Sequence, residues 1–324
     1  MDFYTAIISF SVNSGIPIKL ILDFFYALRI DGAIDNKILV GRLGIAKVSL
    51  NSVKKEFIQY LESSTHETKL NKSGSDWIET YDWEKHRVLM SMWEYSYDNN
   101  SEKEFDSLKL RLKKRPSADR ALDQFTATEE TVYRRVKLME HNGDIKDKRI
   151  LLLGDDDFVS VAIALMSDAK SITVLDIDKR ILHTIKEESR DLVPVISTVG
   201  YDAIKPLPKM YKDTFDTVFT DPPYTTNGIE LFLSRAVTAI NSRNRCSRIY
   251  LCFGNSDASK ERFLPVCEII TKSGLMIREV RDKFNRYTGA ESIGSTSTLF
   301  VLEYTPQTEA LIKVNYDKKI YTNN

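Results

Sequence analysis

The sequence predicts an α/β protein in which a doubly wound, mostly parallel sheet follows a helical module. Three observations carry this. From residue 149 onward, aliphatic runs alternate with amphipathic helical patterns: "RILLLG", a helix near 158–166, "SITVLDID", a helix over 179–190, "DTVFTD", a helix over 228–239, then "RIYLCFG". Residues 17–61 give three short helical patterns separated by "DGAID" and "GIAKVS", a helix-turn-helix arrangement. With 324 residues, 42% apolar and 10% aromatic, the chain can bury a sizeable core, and its length suggests two domains.

The opening stretch "MDFYTAIISFSVNSGIPIKL" is apolar, but Asp2 stands where a secretory leader carries basic residues, and polar residues interrupt the run short of a membrane span. A cytoplasmic protein without a membrane anchor is expected. The three cysteines, Cys246, Cys252 and Cys267, are odd in number, lack metal-ligand spacing and sit in apolar surroundings, which fits reduced structural thiols. Lys plus Arg and Asp plus Glu number 46 each, so no global field draws the chain to nucleic acid or an anionic membrane.

The helix-turn-helix reads either as a DNA-binding module or as one used for dimerisation or for covering an active site. Its last helix offers only Lys47, Lys54 and Lys55 to phosphates, which favours the second. A homodimer is therefore expected, and nucleic acid is not. The polar run 63–76 reads as a loop or wing tip, and "DWEKHRVLMSMWEYSYD" as a wing strand or a helix. The basic cluster in "KEFDSLKLRLKKRPSADR" reads as the solvated face of a connecting helix. "ATEETVYRRVKLMEHNGD" has capping residues, helical periodicity and a Gly143 stop. The expected divisions are a winged-helix-like module over 1–100, a connecting helix over 101–121, a Rossmann-like catalytic domain over 122–305 and a tail over 306–324.

The candidate site begins where "RILLLG" ends. Gly154 is followed by Asp155, Asp156 and Asp157, where a dinucleotide-binding turn holds further glycines and a helix N-terminus ready for phosphate. A pyrophosphate there meets carboxylates and is repelled, which argues against a nicotinamide or flavin enzyme. Asp176 lies about 21 residues beyond the turn, the spacing at which such folds hold a ribose, with Ile177 beside it. Asp178 fits a helix cap better. The next chemistry-bearing strand ends in "FTDPPY": Asp221 is a carboxylate acceptor, Pro222 and Pro223 a rigid turn, and Tyr224 an adjoining ring. That set suits an amine held by its hydrogens with its lone pair toward an electrophile, and is known from adenosylmethionine-dependent amino-methyltransferases. Neighbouring carboxylates raise each other's pKa unless cations neutralise them, so these acids favour a cationic guest. One of the three is expected merely to cap the following helix.

"LDQFTATEETVYRRVKLMEHNGDIKDKRILLLGDDDFVS", "ITVLDID", the 200–237 stretch containing DPPY, and "KFNRY" resemble the branched-chain polyamine synthases over roughly residues 122–305. The resemblance implies a winged-helix module, a class I methyltransferase-like Rossmann domain, decarboxylated adenosylmethionine as aminopropyl donor, and methylthioadenosine as by-product. It places Gly154 to Asp157 on the family's GDDD and Asp221 to Pro223 on its DPP turn. Asp202 falls on the acid before "KPLP", expected near the adenine amino group, and Gln124 on a glutamine upstream of the first strand. Tyr224 replaces a glutamate found in the family, and the tail is not the family's acidic extension.

The expected reaction is in-line attack of a polyamine nitrogen on the methylene beside the sulfonium. Asp155 or Asp156 is the expected proton acceptor, with Tyr224 as the other candidate or else a ring stacking on the adenosyl group or the acceptor; Asp221 stabilises the developing cation, Phe284 and Tyr287 line the acceptor pocket, and no metal is required. The competing classes are an amino-methyltransferase on nucleic acid and a non-catalytic polyamine sensor.

Overall fold

The computed structural model describes residues 2–16, 18–83, 102–244, 246–254, 260–290 and 294–322. It divides into two compact units, one of residues 1–99 with 256–260 and 289–296, the other of 100–255, 261–288 and 297–324. No helix among the described residues is long and apolar enough to cross a membrane.

In the first unit, α1 (Phe3–Ser14) is a helix that the periodicity reading did not anticipate. Asp2, read there only for its charge, is its N-cap and accepts from the Thr5 amide at 3.0 Å. The three expected helices follow as α2 (Ile18–Asp31), α3 (Asn36–Leu43) and α4 (Lys47–Glu56). Strand β1 (Ile34–Asp35) pairs with β3 (Glu67–Leu70), which also pairs with β2 (Leu61–Ser63), giving the order β1-β3-β2. Three helices and a hairpin in this order make a winged helix. The polar run 63–76 therefore holds β3 and most of α5 (Lys72–Ile78), whose cap Asn71 accepts from the Gly74 amide at 2.8 Å. Polarity hid the strand because only Thr68 along it is fully buried. The core is aromatic: Phe25 meets Phe3 and Phe57 edge-on, with ring centroids 5.2 and 5.3 Å apart. "DWEKHRVLMSMWEYSYD" after Trp83 lies outside the described residues.

In the second unit, α6 (Glu102–Leu112), β4 (Thr126–Ala127) and α7 (Glu129–His141) precede the sheet. Thr128 caps α7 through the Thr131 amide, and two glutamates occupy its first turn, as the helix dipole favours. The alternation then runs β5 (Arg149–Leu153), α8 (Val159–Met166), β6 (Ser171–Asp176), α9 (Lys179–Glu188), β7 (Ile196–Gly200), β8 (Thr217–Thr220), α10 (Thr226–Ala239), β9 (Arg248–Phe253), α11 (Phe263–Lys272), β10 (Met276–Thr288) and β11 (Thr296–Glu303). The strand order is β4-β10-β11-β9-β8-β5-β6-β7, parallel from β7 to β9 and closed by antiparallel β11. Strand order reverses at β5, which lies between β6 and β8 with Leu153 level with both Leu175 and Thr220. Ligands of such sheets sit at the carboxyl ends of the strands flanking that point. All four residues Leu151, Leu153, Val218 and Leu251 are at most 1% exposed, as strands covered on both faces require.

The segment after β11 is not a free tail. Buried Arg235 on α10 donates to the carbonyls of Ala203, Ile312 and Val314 at 2.8 to 2.9 Å, and the Tyr316 amide donates to the Ile204 carbonyl. Tyr316 and Ile320 join the core of this unit.

Candidate active site

The site is built on the turn after β5. Gly154 has φ +77, a conformation that any residue with a Cβ adopts at a cost, and its amide bonds to the Leu175 carbonyl. Phe158 has φ +61, an outlier for a bulky residue, and strain of this kind concentrates at functional turns. Between these two positions the three aspartates part company.

Asp155 points inward and caps α8, accepting from the amides of Val159 and Ser160 at 2.7 and 3.1 Å. Burial pushes its carboxyl up to about 8, against those same hydrogen bonds. The capping role expected for one of the three thus falls to Asp155, one of the two acids expected as proton acceptor, and both of its oxygens are taken by the helix. Asp157 accepts from the Ala127 amide at 2.7 Å and from the Arg135 guanidinium at 2.7 Å. Asp156, half-buried, makes no hydrogen bond or ion pair among the described residues. Burial and the charges of Asp157, Asp221, Asp176 and Asp155 push its pKa well up.

Asp221 ends β8, with Pro222 and Pro223 buried behind it. Its Oδ2 accepts from Arg135 Nη2 at 2.7 Å and from the Tyr287 hydroxyl at 2.6 Å, and its Oδ1 accepts from the Tyr224 hydroxyl at 2.8 Å. Tyr224 and Tyr287 lie 2.9 Å apart at their hydroxyls, and Tyr287 is also 2.9 Å from the Ser297 hydroxyl. Burial raises both phenols well above their ordinary range, and the Asp221 charge raises them further. They stay protonated and serve as donors.

Arg135 is the residue that sequence reasoning missed. It is 0% exposed and joins Asp157, Asp221, Tyr287 and Asn285, the last at 2.8 Å. Burial opposes its charge, but the surrounding anionic groups hold it firmly protonated. A fully buried charge persists only when paired in this way. The signal was available: Val132, Arg135, Val136 and Met139 share the apolar stripe of α7, and an arginine on that stripe requires an acid within reach. A second arginine came from the cluster expected to be solvated. Arg115, its side chain 8% exposed, donates to the Ala127 carbonyl at 2.8 Å and approaches Asp157 at 3.9 Å. The acidic turn is therefore partly neutralised from within by two arginines, in addition to the one aspartate expected to serve as a cap.

Phe284 is not brought to this cluster. Its ring lies under the Arg134 guanidinium, 4.6 Å away, while Asn285 and Tyr287 of the same strand reach Arg135. Alternation along β10 divides them. Cys252 is buried within the network, 3.4 Å from the Asn285 amide, whereas Cys246 is exposed, so the cysteines do not share the apolar surroundings expected for all three.

Of the residues expected to hold the nucleoside, Asp176 ends β6, Ile177 follows it, and Asp202 follows β7. Asp176 accepts from the amides of Asp155 and Asp178 at 2.9 and 2.8 Å, tying the turn to β6, and burial raises its pKa. The Tyr201 amide bonds to the Asp176 carbonyl, which sets Asp202 next in line; Ile177 is 43% exposed. Asp178 caps α9, as expected. Gln124 donates to Asp178 at 3.3 Å and accepts from the Asp119 amide at 2.8 Å. Tyr321 closes this edge: burial, then the charges of Asp202, Asp176 and Asp123, push its phenol to about 12.

Residues 105–322 match the family model of the branched-chain polyamine synthase A C-terminal domain. An uncharacterized protein of Methanocaldococcus jannaschii is 37% identical over 217 residues, covering 67% of this chain and 54% of that protein. The N(4)-bis(aminopropyl)spermidine synthase of the same organism is 34% identical over 177 residues, covering 54% of this chain and 50% of the enzyme. The matches thus span about half the length of these curated relatives. The branched-chain polyamine synthase of Thermus thermophilus, solved with N4-aminopropylspermidine and 5'-methylthioadenosine, superposes with a TM-score of 0.67 at 20% identity over 98% of both chains. At that identity the likeness establishes the common fold.

Proposed function

Because this chain belongs to the branched-chain polyamine synthase A C-terminal domain family, we propose that it is an aminopropyltransferase. It moves the aminopropyl group of decarboxylated adenosylmethionine to the nitrogen of a polyamine such as spermidine and releases methylthioadenosine. The observation that carries this reading is the division of labour at the acidic turn. Asp155 and Asp157 are consumed by the helix and by Arg135, and Asp156 alone is left open beside them. An unpaired carboxylate among four other acids repels the carboxylate of ordinary adenosylmethionine and accepts an ammonium or a developing one. Spermidine and the aminopropyl donor are cations of that kind. The proposed partners are the amine substrate and a second copy of the chain, and the cytoplasm is the proposed location.

The acceptor nitrogen attacks the methylene next to the sulfonium, its lone pair forms the new C–N bond, and the C–S pair leaves with sulfur as methylthioadenosine. Positive charge moves from sulfur to nitrogen, and the proton then lost from nitrogen goes to Asp156. A carboxyl whose pKa burial and neighbouring acids raise is a better proton acceptor than an ordinary aspartate. Asp221, whose pKa burial raises against the charge of Arg135 and the hydrogen bonds of Tyr287 and Tyr224, is oriented by those three groups and stabilises the ammonium as it forms. Asp176, Ile177, Asp202, Gln124, Gly154 and Pro222 are assigned to the adenosyl group, and Pro223 and Tyr287 to the acceptor. Calorimetry tests the donor assignment. Decarboxylated adenosylmethionine and methylthioadenosine should each bind at least tenfold more tightly than adenosylmethionine, and equal or reversed affinities would refute it.

A further inference from the structure

For most of its length β10 has a strand on one side only. β11 runs along it, whereas on the other side β4 pairs with Tyr287 and Thr288 alone. Among the described residues, Met276 to Asp282 therefore present an open edge of backbone donors and acceptors, the part of a sheet that invites another strand. The side chains there are exposed, Met276 at 42%, Ile277 at 39% and Val280 at 48%. Lys283, with φ +51, interrupts the strand after this stretch, and no proline blocks it.

The charges along this edge complement themselves. Two copies pairing antiparallel about a two-fold axis normal to the sheet must set one residue opposite its own copy, because opposed residues share a face of the pleat. Centring on Arg278, Glu279, Arg281 or Asp282 sets a charge against its own copy. Centring on Val280 sets valine against valine, Arg278 against the partner's Asp282, and Glu279 against the partner's Arg281, each twice. Within one chain Arg281 already meets Glu279 at 2.6 Å and Arg278 lies 3.7 Å from Glu303, so these side chains are poised along the edge. Opposite charges directly across an antiparallel pair stabilise it, and like charges destabilise it.

We propose that the β10 edge is a homodimer interface in which two copies join their sheets antiparallel about Val280. This holds whatever reaction the site performs. The test is assembly by sedimentation equilibrium at tens of micromolar protein. The wild-type chain should be a dimer. Arg278→Asp brings two aspartates face to face and Asp282→Arg brings two arginines, so each variant alone should dissociate at least tenfold more readily. An equimolar mixture of the two should recover the dimer, since one chain then carries acids at both positions and the other arginines. Val280→Lys, an exposed change that places two ammonium groups on the axis, should also give monomers with unchanged circular dichroism. A monomeric wild-type chain, single variants as dimeric as the wild type, or a mixture that stays monomeric would each overturn the proposal.

Discussion

The three adjacent aspartates show how position decides what a carboxylate does. Composition and spacing make Asp155, Asp156 and Asp157 look equivalent, and the sequence reading gave the base to either of the first two. Backbone geometry separates them, because helix amides claim Asp155 and Arg135 claims Asp157. Asp156→Asn should lower turnover about 10²-fold or more with methylthioadenosine binding retained, comparable with losing one preorganised electrostatic contact; steady-state rates with spermidine check it. Asp155 has a different signature. Burial raises its pKa in the folded chain to about 8, above the ordinary aspartate value of about 3.9, so its stabilising protonation is complete below pH about 4 and lost as pH rises through about 8. Calorimetric Tm should fall between about pH 5 and 8.5, and Asp155→Asn, which keeps a capping oxygen, should flatten that slope. An unchanged slope would contradict the assignment. Arg135→Gln leaves Asp157 and Asp221 without their cation and should cost about 3–5 kcal/mol in urea unfolding. Arg135 escaped the sequence reading because an arginine in a helix usually faces water, and only its partners, far apart in the chain, explain its burial.

At the scale of elements, the alternating strands from β5 to β9 were legible because a strand covered on both faces must be aliphatic nearly throughout. β7, "ISTVG", was not, since it forms an edge of the sheet and is buried at Ile196 but largely polar beyond it. α1 was overlooked for the opposite reason, an apolar segment with little contrast between its faces. The C-terminal segment carried no sequence signal because main-chain carbonyls fix it: Arg235 holds those of Ile312 and Val314, and Thr225 and Asn227 bond those of Ile320 and Lys319. The Thr322 amide then donates to Asp123 at 2.8 Å, beside Gln124. Deleting residues 315–324 should therefore weaken methylthioadenosine binding at least several-fold in calorimetry, with Tyr321→Ala giving part of the loss and no change in helix content. The winged helix, with Lys47, Lys54 and Lys55 as the basic residues of α4, should give no sequence-selective DNA retention at physiological salt. A salt-sensitive, selective shift would contradict that.

For the whole molecule, two units and a doubly wound sheet follow from length, apolar content and periodicity, all visible in the chain. The strand order reverses at β5, and acids cluster at the ends of β5 and β8 beside that point, which under the proposed function favours a cationic guest. How far the acidic turn is neutralised was hidden, because the balancing charges come from α7 and from the segment after α6, away from the GDDD and DPPY turns. The proposed activity is transfer of an aminopropyl group and not of a methyl group. Mass spectrometry of products from the purified chain, incubated with spermidine and either decarboxylated or ordinary adenosylmethionine, tests it most directly. The account predicts methylthioadenosine and an aminopropylated polyamine from the decarboxylated donor, with no turnover of the ordinary one. Adenosylhomocysteine with a methylated amine, or no product from either donor with folded protein across a panel of polyamines, would contradict it.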